Sequence, residues 1–117
     1  MAEKDIEDWR RRIDEIDRRL VELLNERSRC AIEIGHMKRS LGLPVYQPER
    51  EQEILANVEQ LNHGPLADTA VRRLFERVID EARSLERAAR TEEGEATASG
   101  KGRNATEAAV PKKESNA

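Results

Sequence analysis

"NERSRCAIEIGHMKRS", Asn25 to Ser40, has helical spacing but sets charge where the helix should be apolar. Arg27 falls on the line drawn upstream by Ile13, Ile16, Leu20 and Leu23 and continued by Cys30, Ile34 and Met37. Lys38 comes four residues after Ile34, at the edge of the same face. Two cations on a stripe meant for burial need either a route to solvent or an anionic partner.

Outward from that stretch, the apolar line starts at Ile6 and Trp9 and ends at Leu41, in alternating steps of three and four residues. Leu24 and Ala31 widen it into a stripe. Asp5 can cap its start, and Gly42 with Pro44 ends it. The spacing predicts one helix of about 36 residues, roughly 54 Å long. Gly35, inside the pattern, costs about 1 kcal/mol relative to alanine. Close approach of another backbone, or of a ligand, would explain its presence.

A second helix opens in "QPEREQEIL", with Pro48 at the first helical position and a stripe of Ile54, Leu55, Val58 and Leu61. Gly64 and Pro65 close it. A third is predicted from Asp68 to Arg90, with Val71, Leu74, Phe75, Val78, Ile79, Ala82, Leu85 and Ala89 facing inward. No stretch alternates as a strand would, so the predicted fold is all-α with three helices. A compact domain of this size has a radius of gyration of only about 12 Å. Two short helices cannot cover so long a first helix, so an intertwined homodimer is expected.

Composition agrees with one soluble helical domain: 117 residues, 38% charged, 3% aromatic, net charge −3. An acidic balance argues against a general nucleic-acid binder. One cysteine excludes an internal disulfide and supplies no zinc cluster. The N-terminus "MAEKDIEDWRRR" has no apolar signal region and no run is long enough to cross a membrane, so a cytoplasmic location is expected. From residue 91 onward, "TEEGEATASGKGRNATEAAVPKKESNA" lacks Leu, Ile, Phe, Trp and Tyr. Such a segment cannot bury enough apolar area to offset its ordering entropy, so residues 91–117 are predicted to be a disordered tail and residues 4–90 the folded domain.

Further charges fall on inward faces. Arg27 and Lys38 are eleven residues apart, about three turns and about 16 Å along the helix, so they point the same way. Arg50 and Glu51 sit at the start of the second helix, near its inward face, where free N–H groups also favour an anion. Glu86 follows Ala82 by four residues and Ile79 by seven. Each has a plain alternative taken singly: a register-setting arginine, a solvated lysine, a solvated first turn, a Glu86 paired with Arg83 or Arg90. Together, five inward charges require mutual pairing or a charged ligand. Cations outnumber anions, so the ligand should be anionic. No Ser–His or Cys–His pair offers a nucleophile, no carboxylate–histidine cluster holds a metal, and no Gly-rich loop cradles phosphate. A site of Arg, Lys and Glu suits chemistry needing only binding, orientation and charge stabilisation.

The run from Trp9 to Leu55, with "IDEID", "NER", "IGHMK" and "PERE", followed by "GPL" and "VRRLFERVIDEARSLE", resembles the all-helical class of chorismate mutases. The resemblance implies an intertwined three-helix dimer that converts chorismate to prephenate, without a cofactor or metal, in phenylalanine and tyrosine biosynthesis. It implies that Arg10 and Arg27 bind the substrate carboxylates. It assigns Lys38 and Glu86 to the ether oxygen, Arg50 to a supporting role and Glu51 to the substrate hydroxyl. Arg10 and Arg27, seventeen residues apart, are separated by about 25 Å on a straight helix and cannot grip one small molecule. The family's arrangement brings Arg10 in from the partner chain. Gln47 and Ala82 depart from residues common in the family, an acidic and a hydroxyl side chain. The tail is too short for a second enzymatic domain, so a free-standing mutase is expected. Two rival readings are an isochorismate pyruvate lyase on the same fold, which Glu51 disfavours, and a non-catalytic helical dimerisation module.

Overall fold

A computed structural model describes residues 3–99 of the chain, with side chains described over residues 3–91. Three α-helices follow one another, and no strand occurs among the described residues.

Helix α1, Ile6–Leu41, has the predicted 36 residues because both of its ends carry strong local signals. Asp5 accepts from the Asp8 amide at 2.9 Å, and the Asp8 side chain accepts from the Asp5 amide at 3.0 Å. This reciprocal box satisfies N–H groups that have no partner inside the helix. The bond with the Asp5 backbone holds the Asp8 carboxyl below its ordinary pKa, with a further contribution from Arg11. At the other end Gly42 takes a left-handed conformation, φ 68°. Its amide donates to the Arg39 carbonyl at 3.3 Å, and the Leu43 amide donates to the Lys38 carbonyl at 2.8 Å. A residue with a Cβ would resist that φ, so glycine ends the helix there.

Helix α2, Pro48–Leu61, begins at the proline, whose missing N–H costs nothing in a first turn. Gln47 caps it through its carbonyl alone, which accepts from the amides of Arg50 at 3.1 Å and Glu51 at 3.2 Å. The Asn62 side chain then fixes the turn, donating to the Leu66 carbonyl and to Asp68, both at 2.8 Å.

Helix α3, Asp68–Ser99, is longer than predicted. The sequence pattern ends it at Arg90 and predicts disorder from residue 91, yet residues 91–99 continue the helix. They are rich in Glu, Ala and Thr and contain no proline, so extending an existing helix costs little, unlike nucleating a new one. The rest of the predicted tail, residues 100–117, lies outside the described residues.

Helix α3 packs against both α1 and α2, while α1 and α2 do not pack on each other. The described residues span 63 × 32 × 15 Å, little thicker than one helix with its side chains, about 10–12 Å. Their radius of gyration is 17.7 Å, against about 13 Å for a compact chain of this length. The apolar core is correspondingly thin: Ala31, Leu55, Ile79 and Ala89 are buried. Most of the α1 stripe is uncovered, with Ile13, Leu20, Leu23 and Met37 each more than half exposed. Leu74, predicted to face inward, is also exposed.

Where α1 meets α3 the helices touch almost backbone to backbone. A Cβ placed on Gly35 would lie 2.7 Å from the Glu86 carbonyl oxygen and 3.0 Å from the Ala89 Cβ. The approach inferred from a glycine in mid-helix is therefore that of a neighbouring backbone.

Candidate active site

The three helices and the α1–α2 connection enclose a cavity of about 440 Å³. Its wall includes Arg27 and Lys38 from α1, Arg50 and Glu51 from the first turn of α2, and Glu86 from α3. Five of the six residues singled out in the sequence thus meet around one space, because each lies on its helix's inward face and α3 bridges the other two.

Lys38 is the buried charge of the group, 8% exposed. Its ammonium donates to Glu86 Oε1 at 2.7 Å and to the Val45 carbonyl at 2.9 Å. An ammonium carries three donors, so one hydrogen is left for a ligand. Both side chains of the pair are nearly enclosed, at 11% and 14% exposure. Removing either partner would strand a charge, a loss of about 3–5 kcal/mol for a buried pair.

Arg27 is half-buried on the cavity wall and has no hydrogen bond or ion pair among the described residues. Its guanidinium is therefore available to an incoming anion. Arg50 pairs with Glu53 at 2.6 Å, but that contact is exposed and local to one helix turn, a class worth about 0.3–0.5 kcal/mol. An anion could displace it. Glu51 is turned towards α3, where Arg83 holds it with a two-pronged grip: Nε to Oε2 at 3.1 Å and Nη2 to Oε1 at 2.7 Å.

Arg10 lies apart from this group. It pairs with Glu7 at 3.0 Å on the open part of α1, with both side chains about two-thirds exposed. Within one chain it does not line the cavity.

The sequence pattern offers Arg83 only as a partner for Glu86. The structure gives it instead to Glu51 and makes it part of the cavity wall. A signal existed, since Arg83 follows Ile79 by four residues and so sits on the inward edge of α3. Arg90 is the other partner the sequence offers Glu86. It donates instead to the carbonyls of Lys38, at 3.3 Å, and Leu43, tying α3 to the C-terminal cap of α1. The Val45 carbonyl had no sequence signal at all.

Four cations and two carboxylates line the cavity, so it attracts anions. Among the described residues no cluster of three His, Cys, Asp or Glu could hold a metal ion, and no helix is long and apolar enough to cross a membrane.

Residues 9–87 match the family described as chorismate mutase type II. The chain is 42% identical over 92 residues to a bifunctional chorismate mutase/prephenate dehydratase of Pseudomonas aeruginosa, covering 74% of this chain and 25% of that protein. It therefore spans about a quarter of the length of that bifunctional relative. It is 31% identical to a chorismate mutase of Methanocaldococcus jannaschii, covering 74% of this chain and 88% of that protein. Among solved structures, chorismate mutase (Form II) from Thermus thermophilus superposes with a TM-score of 0.70 at 38% identity, covering 72% of this chain and 96% of that one. A matching family pattern over residues 9–87, relatives of the same kind and a shared fold agree: the chain belongs to the chorismate mutase type II family.

Proposed function

We propose that the chain catalyses the rearrangement of chorismate to prephenate, at composite sites in a homodimer. The observation that carries this reading is the convergence of Arg27, Lys38, Arg50, Glu51 and Glu86 on one cavity of about 440 Å³. That volume suits a small ligand. The excess of cations suits a dicarboxylate, and the reaction demands no nucleophile, metal or cofactor.

In the proposed mechanism Arg27 and Arg50, with Arg10 of the partner chain, hold the two carboxylates and fold the extended substrate into a reactive geometry. One carbon–oxygen bond breaks as one carbon–carbon bond forms, within a single molecule. Negative charge grows on the ether oxygen as its bond breaks. Lys38 donates to that oxygen, and Glu86, once protonated, donates as well. A donor aimed at developing charge is worth about 3 kcal/mol of barrier. Glu51 accepts from the substrate hydroxyl. Every one of these groups except Arg10 lies on the cavity wall, within residues 4–90, which we take as the catalytic unit.

The dimer rests on the uncovered stripe of α1. Ile6, Trp9, Ile13, Ile16, Leu20 and Leu23 are exposed in the single chain. A second copy of α1 would bury them and bring an Arg10 to a site its own chain cannot supply.

Incubating the protein with chorismate and following its loss by ultraviolet absorbance tests the reading, with prephenate identified as the product. Turnover of isochorismate to pyruvate instead would assign the site to the lyase. A folded dimer that turns over neither would leave only a dimerisation module.

A further inference from the structure

We propose that Arg83 is a positioning residue that fixes the Glu51 carboxylate for its contact with the substrate hydroxyl. This rests on the mutase reading of the site. Arg83 lines the cavity as one of four cations, and its placement alone would suggest a fourth grip on the substrate carboxylates. Its donors argue otherwise. Nε reaches Glu51 Oε2 at 3.1 Å, and Nη2 reaches Oε1 at 2.7 Å and Oε2 at 2.8 Å. Nη1 faces Asp80 at 3.5 Å, and the guanidinium lies 5.2 Å from the centre of the Tyr46 ring. Every nitrogen is thus turned towards a carboxylate, unlike Arg27, which has no partner among the described residues.

The consequence falls on Glu51. A glutamate in the first turn of a helix has several rotamers open to it, most of them pointing to water. The planar fork of Arg83 matches a carboxylate edge to edge and selects one of them. The side chains are 23% and 20% exposed, so the pair is sheltered enough to hold. Oε2 accepts two of these bonds, but Oε1 accepts only one and keeps a second lone pair, so a hydroxyl can still donate to it. The Tyr46 ring adds a cation–π contact to the same guanidinium. Helix α3 thereby sets the geometry of a group that α2 carries.

The test is a double-mutant cycle in the full chain, measuring kcat and KM for chorismate in the parent, Arg83→Met, Glu51→Gln and the double variant. Arg83→Met is expected to lower kcat/KM about tenfold, and by no more than about twofold once Glu51→Gln is present. Arg83→Lys keeps the charge but loses the fork, so it recovers only part of the loss. Equal losses in both backgrounds would make Arg83 a group acting on its own, and would overturn the proposal. A parent without chorismate turnover would sink the mutase reading instead. A crystal structure of Arg83→Met then decides the positioning claim by itself: Glu51 released into several rotamers supports it, and Glu51 unmoved overturns it.

Discussion

Gly35 of α1 lies against the backbone of Glu86 of α3, so close that a single added carbon would sit 2.7 Å from the Glu86 carbonyl oxygen and 2.9 Å from its α-carbon. Lys38, one turn along α1 from that contact, bonds the Glu86 side chain at 2.7 Å. The spacing of the two helices and the separation of the two proposed ether-oxygen donors are therefore set at the same place.

Gly35→Ala is predicted to push α3 away and separate Lys38 from Glu86. Because the obstacle is backbone, the helices must move, at a cost of about 1–3 kcal/mol, as for other overpacked sites. We expect a lower melting temperature and a fall in kcat of about tenfold or more, since donors must stay within hydrogen-bonding reach of the oxygen. An alanine variant with parental kcat would show that the crossing distance does not govern the chemistry.

Arg10→Ala and Arg27→Ala are each predicted to be nearly inactive, because each loses a grip on a carboxylate. Mixing the two after subunit exchange should restore part of the activity, since one site of the heterodimer then has both arginines. Exchange confirmed by mass, with no recovery, would count against Arg10 acting across the dimer.

The apolar face of α1 should be the dimer seam. Leu20→Glu, at a position 51% exposed in the single chain, is predicted to shift sedimentation from dimer to monomer and to abolish turnover. A monomer that kept full activity would remove the shared-site arrangement altogether.

Glu86 must carry a proton to donate to an oxygen that only accepts, although in the free site it accepts from Lys38 at 2.7 Å. Glu86→Gln, which donates through its amide, is predicted to keep kcat within about tenfold of the parent, whereas Glu86→Ala, which cannot donate, should lose about a hundredfold. Equal losses in the two variants would mean that Glu86 does not donate to the ether oxygen.

The Asp8 carboxyl, held below its ordinary 3.8 chiefly by the bond with the Asp5 backbone, supplies a stability contribution of known sign. A depressed folded-state value means the contribution is present above the unfolded value and lost as pH falls through the folded one. The first turn of α1 should therefore loosen below about pH 3.8. Amide exchange at the start of α1, compared between acid and neutral pH, would register it; equal protection at both would show the box adds nothing.

Local rules make α1 legible from the sequence. Asp5 and Gly42 mark its ends within a few residues, and its three-and-four period names the inward face without reference to any other helix. The same period puts Arg27, Lys38, Arg50, Glu51 and Glu86 on inward faces, which is why the amino-acid order alone gathers them. The end of α3 escapes the same rules because composition reports whether a segment can bury a core. It does not report whether a helix already formed will run on.

What the sequence could not contain was pairing between helices. Which carboxylate Arg83 meets depends on the crossing of α2 and α3, which brings together residues 32 apart in the chain. Lys38 finds the Val45 carbonyl only because the connection after Gly42 folds back over the helix end. A periodic pattern fixes the direction of a side chain about its own axis. The distance and angle between two axes come from how side chains and glycines let the helices approach, and that was decided by the tertiary structure alone.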